Sequence, residues 1–190
     1  MPEPIRPNPY VGPRAFEDGE MLYGRERETR ELLDLLIAER IVLLHSPSGA
    51  GKSSLIQAAL IPRLREENFR ILPIIRVNEL PPKNAPSGAF NRYVFSTLHC
   101  LESDVPADQR LPIEALFEMR LADYLDQRLG SSAGKPDSIV LIFDQFEEIV
   151  NLDPTDQIAK TAFFAQVGQA LRNVRLGSLQ IGIKAQVLSE

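Results

Sequence analysis

Hydrophobic and polar residues alternate along this chain in blocks that predict strands and helices in turn. Short apolar runs predict buried strands at 40–45, 69–77 and 139–143, and a short final strand at 179–183. Segments with apolar residues three and four positions apart predict helices at 25–39, 52–60, 90–101, 113–129 and 155–173. Strands that alternate with helices in this way are typical of α/β proteins.

Proline positions limit several of these elements. Pro62 is expected to kink or stop the second predicted helix. Pro73 lies inside the run 69–77, which favours a bulge or an edge position for that strand. Five prolines fall within the first 13 residues, so we expect an extended arm there, anchored on the domain by Tyr10 and Phe16.

The loop between the first strand and the second helix carries the candidate chemistry. Small residues let backbone N–H groups approach a phosphate chain closely, and a helix start adds a partial positive charge of about half a unit. Lys52 is suited to reach the β- and γ-phosphates of a nucleotide, and the Ser53 hydroxyl is suited to bind Mg²⁺. The predicted nucleotide-binding residues of this loop are Ser46, Pro47, Ser48, Gly49, Ala50, Gly51, Lys52, Ser53 and Ser54.

Ser46 departs from the phosphate-binding pattern G-x-x-x-x-G-K-[ST], which has glycine at that position. A non-glycine residue costs roughly 1–2 kcal/mol there if the backbone requires a positive φ, and little if φ is negative. A plain Gly/Ser turn is the alternative interpretation, but the flanking strand and helix lie where the motif requires them. Gly134-Lys135 lacks that context, because Pro136 follows and no helix begins there, and we interpret it as an ordinary loop.

A second group of candidate residues follows the apolar strand at 139–143. Asp144 closes this run, and ligands bind outside the carboxyl ends of strands in open α/β sheets. We expect Asp144 to hold Mg²⁺ through its water shell, opposite Ser53. Glu147 and Glu148 are candidates to position or polarise an attacking water, and the pattern does not choose between them. The alternative is that Asp144 caps the next helix and the glutamates favour its dipole.

The long interval between Lys52 and Asp144 narrows the type of NTPase. It holds a predicted strand and at least two helices, so we expect an additional strand between the P-loop strand and the Asp144 strand in the sheet. This spacing suits ATPases better than GTPases. A GTPase would also have D-x-x-G after the metal strand and N-K-x-D for guanine, whereas here the segment reads DQFE and N-K-x-D does not occur. The paired glutamates favour water activation over a small-molecule kinase reaction.

Composition excludes several other classes of protein. The net charge of −5 argues against a general nucleic-acid surface. No apolar run approaches the ~20 residues that span a bilayer, so no membrane partner is expected. With one cysteine, Cys100, and no secretory signal, we expect a cytoplasmic protein without a disulfide framework. Several arginines are candidates for an arginine finger between subunits, and spacing selects none of them: Arg25, Arg63, Arg65, Arg70 and Arg76.

Five segments together resemble the bacterial STAND-class NTPases, most closely the novel STAND type. They are NPYVG, YGRERE, PSGAGKSSL, LIPRL and IFDQFEE, in that order, and the resemblance spans residues 8–173. It implies a three-layer P-loop NTPase fold with a mainly parallel central sheet, helices on both faces, and a strand inserted between the Walker A and Walker B strands. It also implies ATP or ADP and Mg²⁺ as cofactors. Gly24 and Arg25 would lie near the nucleotide base, and Asp144, Glu147 and Glu148 match the acidic motif of the family.

The function implied by this resemblance is that of a slow ATP-hydrolysing switch in signalling or defence. Bound ADP would hold a closed state, and exchange for ATP would allow self-association and effector activation. The family's final strand usually ends in an arginine that senses the γ-phosphate, whereas this chain has Lys184, which lacks the planar fork. We expect an arm at 1–20 and an NTPase core at 21–190, without the lid, winged helix, sensor or effector regions of longer relatives. The alternatives are a non-hydrolysing, nucleotide-dependent scaffold and a truncated remnant with impaired nucleotide binding.

Overall fold

A single parallel sheet organises the protein. The computed structural model describes residues 14, 16, 20, 22–47, 49–77, 81–82, 85–86, 90–129, 138–151, 155–172 and 179–186. In these ranges the strands are β1 (Ile41–Ser46), β2 (Phe69–Ile71), β3 (Ile75–Arg76), β4 (Ser138–Asp144) and β5 (Leu179–Gln186). Their order is β1-β5-β4-β2, β3 also pairs with β4, and every pairing is parallel. The predicted α/β fold with a mainly parallel sheet is confirmed.

Helices cover both faces of this sheet. They are α1 (Glu26–Ala38), α2 (Lys52–Ser54), a π-helical segment (Leu55–Leu60), α3 (Ile61–Glu66), α4 (Arg92–Glu102), α5 (Ile113–Glu118), α6 (Leu121–Leu129), α7 (Glu148–Asn151) and α8 (Gln157–Arg172). One hydrophobic core lies between the sheet and α1 with the helix after the P-loop. A second core lies on the other face, where α4, α6 and α8 pack. The result is the predicted three-layer arrangement.

Strand β4 joins the two cores. Val140 and Ile142 belong to the core beside α1, whereas Leu141 and Phe143 belong to the core beside α4. All four side chains are at most 3% exposed. An uninterrupted apolar run is therefore required here, because both faces of the strand are covered. Asp144 is the last residue of this strand, so it lies where β4 leaves the buried interior and reaches the edge of the sheet.

An additional strand does lie between the P-loop strand and the Asp144 strand, as predicted, but it comes from a different part of the chain. Strand β5, which follows β4 in the sequence, pairs with both β1 and β4. The strands from the interval 52–144, β2 and β3, pair with the other side of β4. Because Pro73 interrupts that segment and has no N–H, it suits the edge rather than a position with neighbours on both sides.

The run 69–77 forms two short strands instead of one. β2 and β3 are separated around Pro73, although the Leu72 N–H still donates to the Val140 carbonyl over 3.2 Å. The expected bulge or edge position is confirmed, since β2 lies at one end of the described sheet. This break allows β3 to reach the far end of β4, beside Asp144.

Two helix predictions were wrong in extent. Pro62 does not stop its helix, which continues through α3 to Glu66, and the wider π-helical segment precedes the proline. The predicted helix 113–129 is two helices, because Met119 adopts an extended ψ of 139°. On α1 the core-facing residues include Leu32 and Leu36, whereas Leu35 and Ile37 are about half exposed, so the apolar stripe is narrower than its sequence suggests.

Several expectations fall on parts of the chain that the structure does not describe. The proline-rich arm at 1–13 with Tyr10, and the Gly134-Lys135 loop, lie outside the described residues. Phe16 is described, and its backbone N–H donates to the Ser54 hydroxyl over 3.1 Å. In the described ranges, no helix combines the length and hydropathy needed to cross a bilayer.

Candidate functional site

The loop between β1 and α2, which is predicted to bind phosphate, turns through two glycines. Gly49 and Gly51 have φ angles of +76° and +78°, in the left-handed region that favours glycine. Ser46 instead ends β1, and positive φ among the described non-glycine residues is confined to Asn68 and Gln145. Serine at position 46 is therefore free of the backbone strain considered above. Ser48, also predicted to bind nucleotide, lies outside the described residues.

Replacing Ser46 by glycine is expected to change nucleotide affinity by less than about threefold. Because φ at this position is not positive, glycine removes no strain, and its freedom in the unfolded chain should lower the free energy of unfolding by about 0.5–1 kcal/mol. Calorimetric titration and urea unfolding would measure the two effects, with Ser46→Ala as a control for loss of the hydroxyl. A tenfold gain in affinity in the glycine variant would contradict this account.

Lys52 holds the two ends of the loop together. Its side chain is only 8% exposed, and its ammonium donates to the carbonyl oxygens of Ser46 and Pro47 over 2.6 and 2.9 Å. A third contact, of 3.2 Å, reaches the Ser46 hydroxyl. A buried ammonium needs such acceptors. Anionic phosphate oxygens are stronger acceptors than neutral carbonyls, so the same ammonium can exchange these partners for a phosphate chain.

Arg25 lies against the same loop. Its guanidinium donates to the Ala50 carbonyl over 3.1 Å and to the Glu28 carboxylate over 3.1 Å. Gly24, with φ of +75°, provides the left-handed turn just before it. A cleft of about 510 Å³ opens beside Arg25, between α1 and α3. The structure thus brings Arg25 to the predicted phosphate-binding loop, although local sequence patterns alone suggested only a turn and a helix start.

Asp144 lies at the carboxyl end of β4, as predicted, and is 8% exposed. Gln145 follows with φ of 56°, so the chain turns sharply as it leaves the strand. The turn is closed by the N–H of Glu148, which donates to the Gln145 carbonyl over 3.0 Å. Helix α7 begins at Glu148, four residues after Asp144, so Asp144 is not its N-cap residue. The turn instead returns Glu147 and Glu148 toward Asp144.

The three carboxylates form an acidic group. The Oε2 atoms of Glu147 and Glu148 are buried and accept no hydrogen bond from the described residues. Burial raises the pKa of Glu148, the negative charges of Glu147 and Asp144 raise it further, and the positive charge of Arg76 opposes them. A carboxylate with a raised pKa is a better proton acceptor than an ordinary one.

A fixed metal cage is not part of this arrangement. In the described ranges no three His, Cys, Asp or Glu side chains are grouped as a metal-holding cluster. Mg²⁺ in phosphate-transfer sites commonly takes few protein ligands and completes its shell with water and phosphate oxygens. Asp144 at the strand end and Ser53 at the start of α2 carry oxygens of the kind that Mg²⁺ takes as ligands.

A cleft of about 620 Å³ opens at the Asp144 edge of the sheet. Gln57 of the π-helical segment, Arg76 and Asp144 line it, together with residues of α4 and α5. No sequence motif includes Gln57, and spacing does not separate Arg76 from the other candidate arginines. A signal for Arg76 did exist, because it closes an apolar strand just as Asp144 closes β4.

Lys184 lies within β5, whose last residue is Gln186, so the strand extends beyond its predicted end at 183. In the register of the sheet Lys184 is opposite Leu44 of β1. Since β5 lies between β1 and β4, position 184 is close to the edge where the P-loop and Asp144 lie.

Comparison with known proteins agrees with this geometry. No curated protein sequence matches the chain. Among solved structures it is similar to the Walker-type ATPase PABY2304 of Pyrococcus abyssi, with 19% identity, a TM-score of 0.59, and coverage of 92% of this chain and 48% of that one. The likeness is one of fold, and this chain spans about half the length of that protein. The family model described as Novel STAND NTPase 1 matches residues 9–189, and the chain therefore belongs to this family of NTPases.

Proposed function

We propose that this chain is the ATP-binding, slowly hydrolysing core of a STAND-type molecular switch. The family and the Walker-type fold support an NTPase module. The observation that carries the proposal is the position of the Lys52 ammonium, which is buried in a glycine-containing loop and bonded to three oxygens of that loop. A cation held in this way, at the start of a helix, is a site for a phosphate chain.

Each part of the site has a proposed task. The loop backbone and Lys52 bind the β- and γ-phosphates, and Arg25 with Gly24 lies on the nucleobase side of the loop. Ser53 and Asp144 would hold Mg²⁺, which neutralises phosphate charge when it is bound. Glu148, whose pKa is raised, accepts a proton from the attacking water, and Glu147 helps to orient that water.

The switch itself is part of the proposal. ADP would favour a closed state and ATP would favour self-association, with sensor and effector regions supplied by the longer protein in which such a core operates. We propose a cytoplasmic location and no membrane partner. We also propose that nucleic acid is not a partner, which the net charge of −5 supports. A scaffold that binds nucleotide without hydrolysis is the second candidate function.

Lys52→Ala is expected to weaken binding of ATP and ADP by about 10- to 100-fold, because charge-assisted hydrogen bonds to phosphate are lost. Isothermal titration calorimetry with Mg²⁺-ATP and Mg²⁺-ADP would measure this loss. Lys160→Ala is a matched control, since Lys160 is also a buried lysine, 6% exposed, but lies on α8. Thermal unfolding of each variant would establish that it is folded.

Three outcomes separate the candidate functions. Binding that depends on Lys52, followed by ADP release, supports the hydrolysing switch. Binding that depends on Lys52 without any turnover supports the scaffold. If the folded wild-type protein binds neither nucleotide, or if Lys52→Ala and Lys160→Ala behave alike, the proposed nucleotide site is wrong.

A further inference from the structure

Arg76 is the last residue of β3 and lies directly beside Asp144 in the sheet. The register of the β3–β4 pair places Ile75 opposite Phe143 and Arg76 opposite Asp144. Both residues therefore end their strands at the same edge of the sheet. Arg76 was one of five arginines that sequence spacing could not separate, and the sheet register distinguishes it from the other four.

Helix α4 holds the backbone at this point. The Arg76 carbonyl accepts a hydrogen bond of 2.6 Å from the Ser96 hydroxyl and lies 3.6 Å from the Cys100 Sγ. Ser96 is fully buried. A strand of only two residues is thereby fixed in place, so the direction in which the Arg76 side chain leaves the sheet is also fixed.

The Arg76 side chain faces a cleft at the Asp144 edge of the sheet. It lines the cleft of about 620 Å³ together with Asp144 and with Gln57, which follows Lys52 on the P-loop helix. The guanidinium is exposed and donates no hydrogen bond to any residue that the structure describes. Its charge does act on Glu148, because it opposes the rise in the pKa of that carboxyl. Arg76 is thus a cation held near an acidic group and open to a ligand.

We propose that Arg76 senses the third phosphate of the bound nucleotide, an inference that rests on the function proposed above. Without a third phosphate, the charge of its guanidinium acts on Glu148 of the neighbouring acidic group. With ATP bound, the third phosphate offers a competing anion whose oxygens match the planar guanidinium. The Arg76 guanidinium then donates to the oxygens of that phosphate. ATP would therefore change the contacts of Arg76, where β3 meets α4, and ADP would not.

The test compares Arg76→Gln with Arg70→Gln. Arg70 is a matched control, because it is an exposed arginine on the neighbouring strand β2 and lies opposite Ile139, at the other end of β4. Affinities for Mg²⁺-ADP and for a non-hydrolysable ATP analogue with Mg²⁺ would be measured by calorimetry. We expect the preference for the triphosphate to fall about tenfold in Arg76→Gln, with ADP affinity unchanged, and to be partly restored in Arg76→Lys.

The possible results divide clearly. If the preference for the triphosphate is unchanged in Arg76→Gln, or falls equally in Arg70→Gln, the proposed role of Arg76 is wrong. The proposed function would still hold in that case, provided that the wild-type protein binds nucleotide. Equal weakening of both nucleotides in Arg76→Gln would also overturn the proposed role of Arg76, because that pattern indicates a structural role. Wild-type protein that is folded but binds neither nucleotide would overturn the proposed function, and this inference with it.

Discussion

Replacing Glu148 by glutamine is expected to slow ATP hydrolysis about 10²- to 10⁴-fold while nucleotide binding is retained. Glutamine keeps the size of the side chain but cannot accept a proton from water. Glu148 is the stronger candidate of the pair because burial and the charges of Glu147 and Asp144 raise its pKa. The rate of ADP release under saturating Mg²⁺-ATP, measured for wild type and variant, provides the comparison.

The pH dependence follows from the same raised pKa. A general base is active when it is deprotonated, so the wild-type hydrolysis rate should rise with pH through the raised pKa of Glu148 and then level off. The free energy of unfolding depends on pH with the opposite sign. The folded protein retains the Glu148 proton to higher pH than the unfolded chain does, so its stability falls as pH rises from the ordinary value of 4.5 through the raised value. Glu148→Gln should therefore be more stable than wild type at neutral pH, and the difference should disappear below about pH 4.

Two variants serve as controls for Glu148→Gln. Glu114→Gln removes another glutamate from the first turn of a short helix, at an exposed position on α5, and should leave the rate unchanged. Glu147→Gln tests the neighbouring carboxylate, and a greater loss there would assign the base to Glu147 instead. If wild type and both site variants release ADP equally slowly while all three bind ATP, hydrolysis is not the function of this site.

Local sequence patterns predicted most of the elements because most elements are determined locally. Strand β4 is apolar at every position from Ile139 to Phe143, and burial on both faces requires such a run. The phosphate-binding loop was predicted because glycine, lysine and serine have few substitutes in that task. Asp144 was predicted because it closes an apolar strand, and ligands bind outside the carboxyl ends of strands in open α/β sheets.

What the sequence did not reveal depends on contacts between distant segments. Strand β5 lies between β1 and β4 because of backbone pairing across the sheet. The sequence from Lys52 to Asp144 does not indicate which strand takes that position. Leu35 and Ile37 match the helical period of α1 but are exposed, because the width of the buried stripe depends on what packs against it. Arg76 is distinguished from the other candidate arginines only by the sheet register, which places it opposite Asp144.

Arg128→Ala is expected to lower the free energy of unfolding by about 3–5 kcal/mol, the largest effect on stability that we predict. Arg128 of α6 donates two hydrogen bonds, of 2.9 and 2.8 Å, to the two carboxylate oxygens of Glu102 on α4. The Glu102 side chain is only 5% exposed, and it also accepts from the Leu111 N–H over 2.8 Å. The pKa of Tyr124, which interacts with Glu102, is raised mainly by burial and also by a hydrogen bond with Glu102. Removing the guanidinium would leave a buried carboxylate without its counterion.

Arg63→Ala is the matched control, because the Arg63–Glu66 pair of α3 has a similar distance of 2.9 Å but both side chains are more than 60% exposed. Such exposed pairs contribute about 0–1 kcal/mol, so urea unfolding should separate the two variants clearly. Adding Glu102→Gln to Arg128→Ala should recover part of the loss, since a neutral amide is less costly to bury and its oxygen still accepts from Leu111. Equal losses in Arg128→Ala and Arg63→Ala would mean that water reaches Glu102. Glu102 also lines the cleft beside Asp144. That result would therefore mean that water enters this cleft more deeply than the structure indicates.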